Sequence, residues 1–119
     1  MKIIKAVGEG FVEAVERNEE HTEQTLELVR RALKPILEGG ADKIVLGCTH
    51  YPFLKPQMEE ILAGRNIPLY DGSYGTAVEL KRRIVQNGLL RSEEHVGKVE
   101  IINSLNSEEK IETLDAVEE

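Results

Sequence analysis

The strongest constraint on the fold is an amphipathic repeat between Thr22 and a pair of glycines, Gly39-Gly40. Apolar residues recur in it every three or four positions: Leu26, Val29, Leu33, Ile36 and Leu37. This is the period of a helix with one buried stripe. The sequence therefore predicts a helix that starts near Thr22 and ends at the glycines, with Pro35 expected to kink or shorten its last turns.

A short strand is predicted directly after this helix. The segment DKIVLG, residues 42–47, has three consecutive apolar residues, which indicates burial on both faces, as in a parallel sheet. The other predicted strands are residues 3–7, IPLY at 67–70 and KVEII at 98–102. A proline inside IPLY weakens that prediction, because proline donates no hydrogen bond to a strand ladder.

Helices are predicted in the intervals between these strands. They start at Phe11, beyond Pro52 and Pro56, at Ala77 and after Ser107. Strands that alternate with helices predict an α/β fold, with a mostly parallel sheet flanked by helices. A length of 119 residues suits one such unit.

The charge balance and the lengths of the apolar runs argue against two classes of partner. The chain carries 22 acidic and 15 basic side chains, for a net charge of −7. Nucleic-acid binding needs clustered Lys and Arg, and the one basic run, residues 81–83, lies in a predicted helix, where a solvated face is its simplest role. No apolar run reaches membrane-spanning length. The sequence therefore predicts neither a nucleic-acid partner nor a membrane partner.

Cys48 is the single cysteine of the chain, so it cannot form an internal disulfide. A reducing cytoplasm is the simplest location for such a protein. A metal site is disfavoured, because zinc-type sites combine several Cys and His ligands. The two histidines distant from Cys48, His21 and His95, lie in polar, charged stretches where solvated side chains are expected.

Two interpretations of Cys48 follow from its position. A lone free cysteine is commonly a small buried apolar residue. In open α/β sheets, however, ligands bind beyond the carboxyl ends of the strands, and Cys48 follows the predicted strand by one residue. The N-terminus of the next helix would also favour a thiolate over a thiol. His50 lies two residues on, but spacing alone does not show that the two side chains touch, so both interpretations stay open.

The nine residues LGCTHYPFL, 46–54, resemble the second cysteine motif of the glutamate racemases, within the broader aspartate/glutamate racemase family. His50 points to the glutamate branch, because the wider family often has a glutamate at this position. FVEAVE, residues 11–16, is similar to a family segment that ends in a functional glutamate, and Glu16 matches that position. The resemblance covers residues 11–90.

This resemblance implies a two-lobed racemase fold and a reaction that uses no cofactor. The reaction inverts glutamate at its α-carbon and supplies D-glutamate for bacterial peptidoglycan. In the family, one cysteine thiolate removes the α-proton and a second thiol delivers a proton on the opposite face. Carried over to this chain, Cys48 is the acid or base for one face and His50 assists it. Thr49 would hold polar groups of the substrate, and Glu16 would orient or tune His50.

The family's amino-terminal Asp-Ser-Gly stretch and its other catalytic cysteine have no counterpart in this sequence. The resemblance therefore implies the carboxyl-terminal portion of a glutamate racemase. Residues 1–70 would belong to the cysteine-bearing lobe, and residues 71–119 would return to the other lobe. We expect the monomer to be inactive alone, and its partners to be glutamate, the missing first half of the racemase and further copies of the chain in a homo-oligomer.

Two other functions stay open from the sequence. One is a non-catalytic module that binds a small acid or a partner protein, which the lack of a second cysteine favours. The other is a relative of the aspartate or hydantoin racemases, and His50 counts against it. Asp71-Gly72-Ser73, which follows a predicted strand, is interpreted as a turn rather than as a ligand contact.

Overall fold

Helices and a two-stranded parallel sheet alternate along the part of the chain that the computed structural model describes, residues 1–102 and 104. The elements are α1 (Phe11–Glu16), α2 (Glu23–Glu38), β1 (Ile44–Val45), a 3₁₀ turn (Tyr51–Leu54), α3 (Lys55–Leu62), β2 (Leu69–Tyr70) and α4 (Ser73–Gln86). The predicted helix after Ser107 lies outside the described residues. The chain consists of two compact units, Met1–Ala77 and Val78–Glu119, and the core and the candidate site lie in the first.

The start of α2 follows from local side-chain chemistry. Thr22 is its N-cap, and the hydroxyl of Thr22 accepts a hydrogen bond from the backbone N–H of Thr25 at 3.2 Å, which satisfies one of the donors left free at a helix start. The Thr25 hydroxyl in turn donates to the carbonyl of Glu19 at 2.7 Å. The helix continues through Pro35 to Glu38, so Pro35 does not shorten it as expected.

The two strands pair in parallel, as the sequence predicts, with Ile44 opposite Leu69 and Val45 opposite Tyr70. The prediction that β1 is buried on both faces is wrong. Ile44 is buried in the core, whereas Val45 is 75% exposed, because successive side chains of a strand point to opposite faces and the core covers only one of them here. Residues 3–7 and 98–102 do not form strands.

The core is the apolar cluster that α1, α2, β1, the 3₁₀ turn and α3 build together with Leu46. Its buried members are Phe11, Val15, Val29, Leu33, Ile44, Leu46, Leu54, Met58 and Leu62. Leu54, the last residue of the 3₁₀ turn, has no exposed surface. The turn that follows the cysteine is therefore anchored in the core, which restricts where Cys48 can lie.

A buried amide ties α3 to the connection between α1 and α2. Gln57 is 6% exposed, and its Nε2 donates a hydrogen bond to the backbone carbonyl of Glu20 at 2.8 Å. The same nitrogen lies 3.4 Å from Nδ1 of His21. The Oε1 atom of Gln57 is buried without a hydrogen-bond partner, although buried polar atoms are satisfied in most proteins.

α4 presents the basic run of the sequence to solvent. Arg82 and Arg83 both donate to the Glu79 carboxylate, at 2.7 and 2.8 Å, and these bonds lower the pKa of Glu79 to about 2. The solvated face predicted for residues 81–83 is thus confirmed. No residue of α4 is buried. Within residues 1–102 and 104, no helix has the length and apolar character needed to cross a membrane.

Candidate functional site

Cys48 lies at the carboxyl end of the sheet, half-buried and free of any disulfide. The ladder extends one residue past β1, because the N–H of Leu46 donates to the carbonyl of Tyr70 at 2.7 Å. β1 itself ends at Val45, so Cys48 follows the strand by three residues rather than by one. Its position is still the edge at which open α/β sheets bind their ligands.

The backbone turns immediately after Cys48. The carbonyl of Cys48 accepts a hydrogen bond from the N–H of Tyr51, and the carbonyl of His50 accepts one from Phe53, both at 3.2 Å. The next element therefore begins as a 3₁₀ turn before α3 starts at Lys55. The N–H of Tyr51 donates to the Cys48 carbonyl and is therefore not directed at the thiol. At an ideal helix start, such an N–H would be free to face the thiol.

Tyr51 also holds α1 against this turn. The rings of Phe11 and Tyr51 pack edge to face, with centroids 5.2 Å apart at 74°, a geometry that aromatic pairs prefer. The hydroxyl of Tyr51 accepts a hydrogen bond from the backbone N–H of Gly8 at 3.3 Å. These contacts fix the position of α1, whose last residue is Glu16.

Glu16 and His50 meet across 34 residues of sequence. Oε1 of Glu16 lies 2.8 Å from Nε2 of His50, and their side chains are 44% and 30% exposed. The family resemblance implies a role for Glu16 in orienting His50, and the structure places the two groups in hydrogen-bond contact. The spacing of residues along the chain gave no indication of this contact.

The Glu16 contact determines which nitrogen of the imidazole carries hydrogen. An ionised carboxylate only accepts hydrogen bonds, so Nε2 of His50 must be the donor. In the neutral ring Nδ1 is then an acceptor, and the hydroxyl of Thr49, 3.4 Å away, is positioned to donate to it. Thr49, His50 and Glu16 thus form a short polar chain beside Cys48.

Replacing Glu16 with alanine is expected to remove the preference of His50 for the Nε2–H tautomer. The Nε2–H form of His50 loses its acceptor, so the two neutral tautomers should become mixed, as in a solvated histidine. The ¹⁵N chemical shifts of the His50 ring report the tautomer directly. Glu13→Ala is the matched control, because Glu13 lies on the same helix, and it should leave the ring signals unchanged. An unaltered Nε2–H tautomer in Glu16→Ala would contradict this account of the contact.

A second charged contact lies at the same edge of the sheet. Asp71 directly follows β2, and its carboxylate pairs with the ammonium of Lys55, the first residue of α3. It also accepts a hydrogen bond from the N–H of Ser73 at 2.8 Å, where α4 begins. Lys55, followed by Ser73, holds the pKa of the Asp71 carboxyl well below its usual range. The predicted turn at residues 71–73 therefore leads into α4, whereas residue spacing gave no indication of the pairing with Lys55.

Groups of three or more His, Cys, Asp or Glu side chains placed to hold a metal ion do not occur within the described part of the chain. His21 and His95 are both exposed. The polar groups gathered near Cys48 are instead suited to holding a small polar ligand and moving protons. They consist of an imidazole, a carboxylate bound to it and a hydroxyl.

Comparison with known proteins agrees with a site that holds a small polar ligand and moves protons. The family model described as Asp/Glu/Hydantoin racemase matches residues 5–80. The glutamate racemase of Clostridium novyi (strain NT) is 37% identical over 102 residues, which cover 86% of this chain and 39% of that protein. The glutamate racemase of Ralstonia pickettii (strain 12J) is 42% identical over 91 residues, 76% of this chain and 32% of that protein. The chain thus spans about two fifths or less of the length of these relatives.

Solved structures give a matching result for the fold. Glutamate racemase isoform RacE1 of Bacillus anthracis superposes with a TM-score of 0.67 at 28% identity, over 77% of this chain and 34% of that one. Glutamate racemase of Francisella tularensis, solved in complex with D-glutamate, superposes with a TM-score of 0.63 at 25% identity, over 71% of this chain and 31% of that one. The predicted α/β fold is confirmed by these similarities.

Proposed function

The chain belongs to the Asp/Glu/Hydantoin racemase family, and on that premise we propose that it supplies one of the two proton-transferring thiols of a glutamate racemase. The observation that carries the proposal is the position of Cys48, half-buried at the carboxyl edge of the sheet and two residues before a histidine bound to Glu16. Glutamate is the proposed substrate because the relatives named above are glutamate racemases, and one solved neighbour holds D-glutamate.

The proposed reaction consists of two proton transfers. The thiolate of one cysteine takes the α-proton of glutamate, the carbon keeps the electron pair, and the thiol of the second cysteine delivers a proton to the opposite face. No atom is oxidised or reduced, so no co-reactant is required. Two groups are needed because a single base tends to return the proton to the face it came from. The α-proton is weakly acidic, so positioning and stabilisation of the developing charge must contribute much of the rate.

The residues near the sheet edge take distinct roles in this proposal. Cys48 is the acid or base for one face of the substrate. His50 assists the thiol or its proton balance, and Glu16 keeps His50 in one orientation through the 2.8 Å contact. Thr49, which is exposed, binds polar groups of the substrate. None of these roles calls for a metal or a cofactor.

The second thiol must come from outside these 119 residues, because they contain one cysteine. We assign it to a partner equivalent to the part of the longer relatives that this chain does not span, with residues 1–70 forming the cysteine-bearing lobe and residues 71–119 returning to the other. The bare sheet face offers apolar contact area for such a partner: the register partners Val45 and Tyr70 are 75% and 50% exposed. The same apolar surface favours homo-oligomers when the partner is absent. We place the assembly in the cytoplasm, where a free thiol stays reduced.

The proposal is tested by mixing the purified chain with a polypeptide that covers the missing portion of a full-length relative, such as the Clostridium novyi enzyme. Conversion of L- to D-glutamate, followed by circular dichroism, is expected in the mixture and not with either component alone. Glutamate binding without conversion in a mixture that forms a stable complex would instead support the non-catalytic binding module, which the single cysteine favours. Faster conversion of aspartate than of glutamate would support the third possibility, an aspartate racemase relative.

A further inference from the structure

The segment that carries the cysteine, residues 47–54, is attached at both ends to consecutive residues, the last residue of β2 and the residue that follows it. At its start, the N–H of Leu46 donates to the carbonyl of Tyr70 at 2.7 Å. At its end, the ammonium of Lys55 pairs with the carboxylate of Asp71, the residue that follows Tyr70. The first attachment is an ordinary ladder hydrogen bond of a parallel sheet. The second is a side-chain contact that neither the sheet nor the helix requires.

We infer that Lys55 and Asp71 are positioning residues that hold the cysteine segment, residues 47–54, against the carboxyl edge of the sheet. Lys55 is the first residue of α3, and Asp71 is the first residue after β2. The ion pair therefore joins the end of the cysteine segment to the strand that neighbours β1. Cys48 and His50 lie between the two attachments, so their distance from the sheet edge is fixed from both sides.

The side chains of this pair are less exposed than those of the helical ion pair Lys34–Glu38. The side chain of Asp71 is only 12% exposed and that of Lys55 is 34% exposed. In the helical pair Lys34–Glu38 the corresponding values are 71% and 67%, and the charged atoms are 3.9 Å apart. Exposed pairs of that kind contribute little because water and salt screen them. The Asp71 carboxylate is also held by the N–H of Ser73 at 2.8 Å, so the charge that faces Lys55 is fixed in orientation.

The cysteine segment needs such an anchor because its backbone hydrogen bonds are local, and its long-range hydrogen bonds, Tyr51 with Gly8 and His50 with Glu16, join it to α1 and the residues before α1 rather than to the sheet. Tyr51 donates to the Cys48 carbonyl and Phe53 donates to the His50 carbonyl, which shapes the turn without attaching it to the sheet. Pro52 and Pro56 have no backbone N–H to contribute. The burial of Leu54 fixes one point of the segment in the core, and Lys55 fixes the next residue to Asp71. The importance of this anchor for catalysis depends on the proposed function. The anchoring itself can be measured on the chain alone.

Backbone hydrogen exchange of Tyr51 and Phe53 tests the inference. Lys55→Met and Asp71→Asn are each expected to raise the exchange rate of these two amides by about fivefold or more, because the segment opens locally once the charge pair is lost. Asparagine still accepts the bond from Ser73, so Asp71→Asn removes only the charge. Lys55→Arg should restore slow exchange, because arginine keeps the positive charge. Lys34→Met, which breaks the exposed pair, is the matched control and should change these rates less than about twofold.

The double variant Lys55→Met/Asp71→Asn separates a direct pairing from two independent effects. If the two residues act only through their contact, the amides of the double variant exchange no faster than those of either single variant. The first substitution already removes the contact, so the second has no further effect. Multiplied effects in the double variant, or exchange rates within about twofold of the unchanged chain in both single variants, would overturn the inference. None of these readouts depends on racemase activity. A failed anchor and a failed racemase proposal are therefore distinguishable.

The pair also makes a pH prediction. Because the pKa of Asp71 is lowered in the folded chain from its ordinary value of 3.8, the contact stabilises the fold above pH 3.8 and the contribution is lost as the pH falls below that value. The difference in unfolding temperature between the unchanged chain and Asp71→Asn should thus persist from neutral pH to about pH 4 and shrink at lower pH. A difference that does not shrink below pH 3.8 would show that the Asp71 charge is not its source.

Discussion

Replacing Cys48 with alanine is expected to lower the rate of L- to D-glutamate conversion in the two-component mixture by about 10²- to 10⁴-fold, the range that a positioned proton-transfer group contributes. The change removes the group that acts on one face of the substrate and leaves the partner's thiol on the other. Because inversion needs a transfer on each face, conversion should fall in both directions. Circular dichroism of each enantiomer in turn measures both rates.

Two controls separate this effect from a loss of structure. Cys48→Ala should leave the unfolding temperature of the chain nearly unchanged, because Cys48 is only half-buried and the change removes a single sulfur atom. Glu13→Ala, on the exposed side of α1, should leave the rate within about twofold of the unchanged mixture, as surface substitutions generally do. A Cys48→Ala mixture that retains the full rate would remove Cys48 from the mechanism.

Replacing Leu54 with alanine is expected to have the largest effect on stability. Leu54 has no exposed surface in the core, and Leu-to-Ala changes at such sites lower the free energy of unfolding by about 2–5 kcal/mol. Small domains have about 5–15 kcal/mol in total, so a sizeable fraction of the variant should be unfolded at moderate temperature. Urea denaturation followed by far-ultraviolet circular dichroism measures the loss.

Leu80→Ala is the matched control for this change, because Leu80 is 60% exposed on α4. The same deletion of side-chain atoms should there shift the free energy of unfolding by about 0.5 kcal/mol or less. Leu54 also terminates the turn that follows Cys48, so its loss should expose the thiol to alkylating reagents. Equal destabilisation by the two variants would show that the burial of Leu54 does not anchor the segment.

The fold could be predicted where it depends on neighbours in sequence. α2 follows from an apolar stripe and from Thr22, whose hydroxyl caps the helix three residues away. The burial of β1 could not be predicted in the same way. Val45 is apolar like its neighbours, but its exposure is set by what covers that face of the sheet, and an apolar run carries no information about the covering element. The strands predicted at residues 3–7 and 98–102 likewise depend on pairing partners.

In the candidate site, too, features that depend on neighbours in sequence could be predicted and features that depend on distant contacts could not. The position of Cys48 at a strand end could be predicted because a short apolar run and a turn mark such an end. The contact of Glu16 with His50 spans 34 residues, and only the family resemblance suggested it. The contact between Lys55 and Asp71 could not be predicted from the sequence. Their pairing depends on the parallel register of β1 and β2, which brings the start of α3 beside the end of β2 and which residue spacing does not give.

The most direct test of the central claim is α-proton exchange of glutamate in heavy water, started separately from the L- and the D-enantiomer. With the unchanged chain and its partner, both enantiomers should take up deuterium and interconvert. With Cys48→Ala, interconversion should fall by about 10²- to 10⁴-fold, and deuterium should enter mainly the enantiomer whose α-proton faces the remaining thiol. Undiminished exchange and interconversion from both enantiomers after Cys48→Ala would contradict the assignment of Cys48 as the acid or base for one face.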